Sequence, residues 1–460
     1  MKKKNNRRKT RSLCEPLKIK EKKSNIKKEY TKLVGRYTDV PENFITAGSY
    51  HILSSLLGRF FETKAIPNPL KPGKGTRPNV WFIFSSIPGR TRRSTILGYN
   101  TEIYKKVLYE IFKDKKIVDD TILEEGTIEG ITDQINYVIE IDDNTCFDII
   151  NSEMGPMLQR ATGAGYEKGI IGLLSKLYYG EGWKQFLSKR NKKEKESVRR
   201  IPVGLYVTML SSMQEPDEYL DETMILQGFL RRVMVVYIQT KDLSMADWKP
   251  PIDEERKKIT PELENIIRKI IDLYKKYKDI YDKDGEIQIL IQPEVKNKIN
   301  NFAKELDEKL TGMDSNIIDI FQQSFWEHLV KLCMLESISR SDIINKGGKA
   351  TLEVTIEDYQ KAKKYTDEIL KMNLATVDKI LTSRKDKIES NNLKRVYNAI
   401  YSSGKAGIQH SALYRKMNMP SNKLKEIIEE LERREKIKIT TGPMTKPGIP
   451  PKIYIAKKLV

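Results

Sequence analysis

One stretch constrains this chain more than any other: a wholly apolar run that passes through a basic loop into an amphipathic helix. VWFIFSS (80–86) has the length and composition of a buried strand, SIPGRTRRST follows as a loop, and ILGYNTEIYKKVLYEIFKD leaves it with helical spacing. The pattern continues. CFDIIN (146–151), VGLYVTML (203–210) and RVMVVYI (232–238) read as further buried strands, with helical stretches such as GIIGLLSKLYYG between them. Strands that are apolar on both faces and alternate with helices predict an α/β fold with a mostly parallel sheet covered by helices.

At 460 residues the chain exceeds what one hydrophobic core normally serves, so several domains are expected. Residues 1–30 read as a basic arm and 31–250 as the α/β core with its N-terminal helices. In that core ITAGSYHILSSLLGRFFE (45–62) is helical, and a Pro/Gly-rich link, IPNPLKPGKGTRPN, follows it. From Pro250 onward strands nearly vanish. ITPELENIIRKIIDLYKKYKDIY, VKNKINNFAKELDEKL, FWEHLVKLCMLESIS and IEDYQKAKKYTDEILKMN carry 3.6-residue periodicity, which predicts a helical, lid-like domain over 251–390. Residues 391–460 give helix, turn, short helix (HSALYRKM), turn, longer helix (NKLKEIIEELERRE) and two short strands around TGPMTKPGIPP. That order predicts a winged helix-turn-helix.

Lys and Arg outnumber Asp and Glu by 83 to 63, a formal charge of +20. The excess favours a polyanionic partner through counterion release, and DNA is the expected one. Half of it lies in Met1–Tyr30, where thirteen Lys/Arg face three Glu. A block of this kind reads as a solvated leader or as an arm that grips DNA. No apolar segment follows it as in a signal peptide, and no run reaches the roughly 20 residues of a membrane span. A soluble, cytoplasmic, nucleoid-associated protein is expected. Cys14, Cys146 and Cys333 share no disulfide or ligand spacing, and His51, His328 and His410 are too scattered for a metal cluster. No nucleophile set or paired-carboxylate motif marks a nuclease.

A phosphate-binding loop between strand and helix needs free backbone N–H groups, a cation for the β/γ oxygens and a hydroxyl for Mg²⁺, the pattern G-x-x-x-x-G-K-[ST]. The corresponding segment here runs from Ser85 to Thr95. Aligning Arg93 with the lysine places Ser94 at the metal hydroxyl and Thr95 just inside the helix. Gly89 is then the sole glycine of the loop, and Arg92 stands at the second glycine's position, where φ > 0 is the usual demand. Ser86, Pro88, Gly89, Arg93, Ser94 and Thr95 are the candidate nucleotide contacts.

Several blocks, in order, resemble the AAA-type P-loop ATPases encoded by plasmids, viruses and integrated elements, relatives of the MCM and superfamily 3 replicative helicases. They are PNVWFIFSS with its loop, EGTIEGITDQI, IINSEMGPML, GIIGLLSKLYYGEGW, VGLYVTMLSSMQEP and GFLRRVMVVY, spread over residues from about 40 to 375. The resemblance implies ATP and Mg²⁺ as ligands, self-association into a ring, hexameric in that family, and replication partners. It makes IINSEMG a Walker B strand, with Glu153 polarising the attacking water and Ser152 standing where the family has Asp. It places Ser211 or Ser212 at the sensor position, and Arg232, with Arg231 as second choice, as the arginine that acts on a nucleotide, either its own chain's or, as an arginine finger, that of a neighbouring subunit. The implied activity is ATP-driven helicase or translocase work on DNA. The alternative is a DNA-binding initiator or regulator that does not turn over ATP.

Two further groups are candidates for DNA contact. LSKRNKKEKESVRRIP is either a solvated charged connection or, as the resemblance implies, a hairpin reaching DNA through Lys189, Arg190, Lys192, Lys193, Arg199 and Arg200. In the C-terminal segment Ser421 is expected to cap the longer helix, whose first turns carry Asn422, Lys423 and Lys425 towards a major groove. Arg415 and Lys416, beside Tyr414, are placed to brace it on the backbone, and Lys446 and Lys452 lie in the wing.

Overall fold

The computed structural model describes residues 25–38, 40–67, 75–87, 91–124, 126–142, 145–162, 169–186, 198–221, 224, 228–239, 253–311, 313, 315–443 and 450–457. The described chain opens with α1 (Ile26–Tyr37), α2 (Glu42–Leu57), β1 (Phe61–Pro67) and β2 (Gly75–Thr76). Then follow β3 (Trp81–Ser86), α3 (Arg93–Phe112), α4 (Lys115–Asp120), β4 (Ile122–Leu123), α5 (Ile128–Asp142), β5 (Cys146–Asn151), α6 (Met154–Thr162) and α7 (Ile170–Tyr179). Next come β6 (Trp183–Phe186), β7 (Val198–Ile201), β8 (Tyr206–Met213), α8 (Pro216–Tyr219) and β9 (Met234–Ile238). Then come α9 (Asp253–Asp284), β10 (Ile287–Ile291), α10 (Pro293–Leu310), α11 (Ser315–Arg340), β11 (Ile344–Lys346), β12 (Lys349–Val354) and α12 (Ile356–Tyr401). The last elements are β13 (Ile408–Gln409), α13 (His410–Met417), α14 (Ser421–Arg433), β14 (Ile437–Thr441) and β15 (Lys452–Ala456).

The α/β expectation holds. A five-stranded sheet of order β4-β5-β8-β3-β9 is parallel throughout, and every residue of β3, β5, β8 and β9 is buried. Burial on both faces is why these strands read as continuous apolar runs rather than as alternating ones. Trp81 fixes the centre: its indole N–H donates to Val207 O at 2.9 Å, while Phe84 stacks on Phe44 of α2 at 4.4 Å. From β3 the chain moves to β4 at one edge and returns through β5 to β8; from β8 it crosses to β9, on the far side of β3. The connections leaving β3 and β8 therefore run in opposite directions. Between their carboxyl ends lies the topological switch point where open α/β sheets bind ligands.

A second sheet, β11-β12-β10-β1-β2, was not anticipated. It joins β1, at the start of the expected Pro/Gly-rich link, to β10 of the expected helical domain through the parallel pairs Phe61↔Ile287 and Glu62↔Gln288. The hydrophobic core accordingly runs unbroken from Ile26 to Ile380, so residue 250 does not divide two cores. The basic arm is also shorter than expected. Ile26 and Tyr30 are buried in α1, and the Tyr30 hydroxyl donates to Asn100 Oδ1 at 2.6 Å. The charged residues before Asn25 lie outside the described residues.

α12 begins with a capping box, in which the Asp358 amide donates to Thr355 Oγ1 and the Thr355 amide donates to Asp358 Oδ2 at 2.9 Å. It then continues for 46 residues, so the junction expected at 390/391 falls inside one helix. Its last turns join α13, α14 and the antiparallel sheet β13-β15-β14 around a second core built on Val396, Ile400, Leu413, Leu424, Ile428 and Tyr454. These elements follow in the expected order. The cap is corrected: Pro420 holds the N-cap of α14, Ser421 is its first residue, and no side chain caps it.

His328 of α11 is fully buried edge-on to Phe325, and neither ring nitrogen has a partner among the described residues. Burial pushes its pKa down to about 3. The folded chain thus keeps His328 neutral where the unfolded chain, at about 6.5, takes up a proton. Stability from this residue is whole above pH 6.5 and is lost as pH falls towards 3, by about 1 kcal/mol per unit at the steepest. His328→Phe is expected to flatten that part of the stability profile, measured as urea midpoints between pH 7 and pH 4.5.

Candidate functional site

The carboxyl ends of β3, β5, β8 and β9 share one edge of the parallel sheet, and α3 starts there. α3 has 20 residues and no side-chain cap. Its first-turn N–H groups and the positive end of its dipole therefore face the strand edge with nothing from a cap to satisfy them. Arg92 precedes it with φ 47° and ψ 42°, the left-handed conformation. This is the position at which the standard phosphate loop has its second glycine. Arg92 takes that conformation without being glycine, at a cost of about 1 kcal/mol. The Ser86 hydroxyl bonds the Thr91 hydroxyl, which ties the two ends of the loop together. Pro88 and Gly89 lie outside the described residues. Thr95 is half-buried and its amide donates back to Arg92 O at 3.0 Å, while Ser94 is exposed at the helix start.

Three buried donors at this edge have no partner among the described residues: Arg93 Nη1, Asn151 Nδ2 and the Ser211 hydroxyl. Burial pulls the Arg93 guanidinium below its ordinary pKa, against the opposing influence of Glu153, Tyr219 and Glu215 nearby. Asn151 ends β5 and pairs in register with Ser211 of β8, so their side chains share a face of the sheet. The Asn151 oxygen accepts the Glu153 N–H at 2.8 Å, which fixes the amide's orientation and leaves its NH₂ group unmatched. Each unmatched buried donor costs about 1–3 kcal/mol, a cost that a bound anion would remove.

Ser211 and Ser212 lie inside β8 rather than behind it. Val203 and Gly204, read as the strand's beginning, form a turn with Gly204 at φ +104°, and the strand runs on to Met213. Ser212 donates to Ser152 O and so braces the turn that carries Glu153, which is exposed. The end of β5 is Asn151, one residue before the Ser152 aligned with the family's Asp. Asn151 was not singled out from the sequence; the signal was a polar residue closing an apolar run.

The other carboxylates near this edge are engaged through at least one oxygen, Asp148 Oδ2 being buried without a partner among the described residues. Asp148 lies fully buried further down β5, where its Oδ1 accepts from His51 Nε2 at 2.8 Å and from Thr208 Oγ1 at 3.0 Å. Asn100 Nδ2 sits 3.1 Å from His51 Nδ1, so that nitrogen accepts and Nε2 carries the proton. Glu215 is paired with Lys379 of α12 and accepts from the Tyr237 hydroxyl at 2.9 Å; Asp217 lies 3.3 Å from the same lysine and accepts from Ser383 at 2.7 Å. No group of three His, Cys, Asp or Glu among the described residues is placed to hold a metal ion.

Arg231 and Arg232 fall elsewhere. They precede β9, whose register Phe82↔Met234 to Ser86↔Ile238 puts them at the amino edge of the sheet. The separation from the loop is six residues of strand, about 20 Å. Arg232 lies 5.0 Å from the Tyr179 ring and donates to Gly228 O at 2.6 Å; Arg231 bonds Gln323. Within one chain, neither joins the Arg93 site.

The basic candidates divide similarly. β6 and β7 pair antiparallel from Trp183↔Ile201 to Phe186↔Val198, so the charged interval is framed by a hairpin rather than by an unpaired connection. Arg200 is exposed on it opposite Lys184, and Arg199 is backbone-paired with Gln185. Lys189, Arg190, Lys192 and Lys193 lie outside the described residues, as does Lys446. α14 buries Leu424, Ile427, Ile428 and Leu431, which leaves Ser421, Asn422, Lys423 and Lys425 exposed together at its start. Arg415 and Lys416 are exposed on α13, with Lys416 Nζ 3.3 Å from Ser402 Oγ, and Lys452 is exposed at the start of β15.

Among the described residues no helix is long and apolar enough to cross a membrane. No protein-family model matches this chain. No curated protein matches it either.

Proposed function

We propose that this chain is an ATP-binding, DNA-associated P-loop protein of AAA type that works as a ring-forming helicase or translocase in the replication of a mobile element. The observation that carries the reading is the coincidence, at one switch-point edge, of an uncapped helix start and three buried donors lacking partners. Helix N-termini of this kind are sites for phosphate, and Arg93 adds the cation that the β/γ oxygens need. Ser94, exposed at the helix start, offers the hydroxyl suited to a phosphate-bound Mg²⁺, and Glu153 is the carboxylate left to orient a water.

DNA is the partner that the charge supports. The C-terminal module is read as a winged helix, with Asn422, Lys423 and Lys425 towards a major groove and Arg415, Lys416 and Lys452 on phosphates. The β6–β7 hairpin brings Arg200 and the lysine-rich interval to the same partner. Arg232, remote from its own chain's loop, suits a role at the neighbouring subunit's nucleotide, which is the basis for expecting a ring.

A second reading is a DNA-binding regulator that holds ATP without hydrolysing it, and it rests on Asn151 and Asp148. The strand end presents an amide where a carboxylate is expected, and the buried Asp148 is committed to His51. DNA-stimulated ATP hydrolysis by the full chain, beside Ser94→Ala and Glu153→Gln, separates the two. The helicase reading expects turnover that falls at least about 100-fold in Glu153→Gln. Background rates in all three proteins would leave the static binder.

A further inference from the structure

We infer that nucleotide is held at this site by protein donors rather than through a metal ion, so that ATP binding does not require Mg²⁺; this rests on the nucleotide reading above. In a metal-dependent site, a carboxylate at the end of the acidic strand holds the metal's water shell, and the ion in turn neutralises the phosphates. Here the strand ends in Asn151. Its oxygen is turned back to accept the Glu153 N–H at 2.8 Å, and its other, unpartnered end is an NH₂ group. That group donates to a phosphate oxygen and cannot serve as a ligand to a cation or its waters.

The neighbours have the same character. Ser211, in register with Asn151, and Arg93, at the start of α3, also present buried donors without partners. Asp148 holds His51 and Thr208 with Oδ1, and its Oδ2 is buried without a partner among the described residues; three residues before Asn151 on β5, it faces the other side of the sheet. Glu215 is taken by Lys379 and Tyr237. Glu153, exposed and close to Arg93, is the one carboxylate of the strand-end turn that remains. A guanidinium, two neutral donors and the amides of an uncapped helix supply by hydrogen bonding the compensation that a metal-centred site delegates to the ion.

The test is a calorimetric titration of ATP into the full chain in Mg²⁺ and again in excess EDTA, for the native protein and for Asn151→Asp. The native affinity is expected to differ by less than about threefold between the two conditions. Asn151→Asp sets a carboxylate against the phosphates and is expected to bind at least about 10-fold more weakly in EDTA than in Mg²⁺. A native protein that loses threefold or more in EDTA overturns the inference and leaves the nucleotide site standing. An Asn151→Asp protein as indifferent to Mg²⁺ as the native one also overturns it, because Asn151 is then not at the phosphates. Absence of ATP binding in both conditions removes the nucleotide site itself, and the inference with it.

Discussion

Arg93→Ala is expected to weaken ATP binding about 100-fold and at the same time to make the ligand-free protein more stable. The two effects have one origin. In the free chain Arg93 Nη1 is buried without a partner among the described residues, and burial already opposes its charge. Truncation removes that unmatched donor, for a gain of about 1 kcal/mol after allowing for the side chain's partial exposure, or roughly 2 °C in Tm. With nucleotide bound, the same guanidinium makes charge-assisted hydrogen bonds whose loss costs about 3 kcal/mol, the 100-fold. Calorimetry measures both. Loss of stability without loss of affinity would mark Arg93 as a structural residue.

The second large effect lies on the opposite side of the fold and concerns stability alone. Lys331 of α11 is buried, donates to Asn79 Oδ1 at 3.0 Å and the Tyr178 hydroxyl at 2.8 Å, and pairs with Glu327 at 2.9 Å. Burial pushes the Glu327 carboxyl up, and Lys331 more than offsets it, leaving the group below its ordinary range. Lys331→Ala is expected to cost about 3 kcal/mol, because buried Asn79 and Tyr178 and half-buried Glu327 lose their common partner. Lys331→Met with Glu327→Leu is expected to recover most of that loss, since no uncompensated charge is left. Urea denaturation of the single and double variants distinguishes a satisfied buried network from a surface ion pair, whose loss would cost under about 1 kcal/mol.

What was readable in advance follows from the range of the forces involved. β3, β5 and β9 were legible because burial on both faces writes an unbroken apolar run, and α3 because its periodicity follows a strand through a basic loop. The C-terminal elements announced themselves through turn residues. The second sheet was not legible: IQILI and KATLEV are short, the first pairs with Phe61 and Glu62 across more than two hundred residues of sequence, and the second pairs only with its neighbours β10 and β11. The pairs His51–Asp148 and Lys331–Asn79 are 97 and 252 residues apart, a distance no local pattern encodes.

The candidate site was half legible for related reasons. The end of β5 was read at Asn151, where the structure has it; alignment with the family's Asp–Glu pair drew attention to Ser152 and Glu153 and passed over Asn151 itself. Arg232 was put forward for a nucleotide by the resemblance of GFLRR, whereas strand register sends it to the edge away from its own chain's loop. Arg92 is the instructive case. Its departure from glycine was visible, but only the backbone reveals that the left-handed turn is kept all the same.

The central claim is that the start of α3, at the carboxyl edge of the parallel sheet, is where nucleotide binds. A crystal structure of the full chain grown with a saturating non-hydrolysable ATP analogue tests it most directly. Triphosphate density is expected against the N–H groups of Arg93 and Ser94, with the Arg93, Asn151 and Ser211 side chains turned onto phosphate oxygens. Nucleotide ordered elsewhere, or an α3 start closed over by the chain's own side chains with no nucleotide bound, would contradict it.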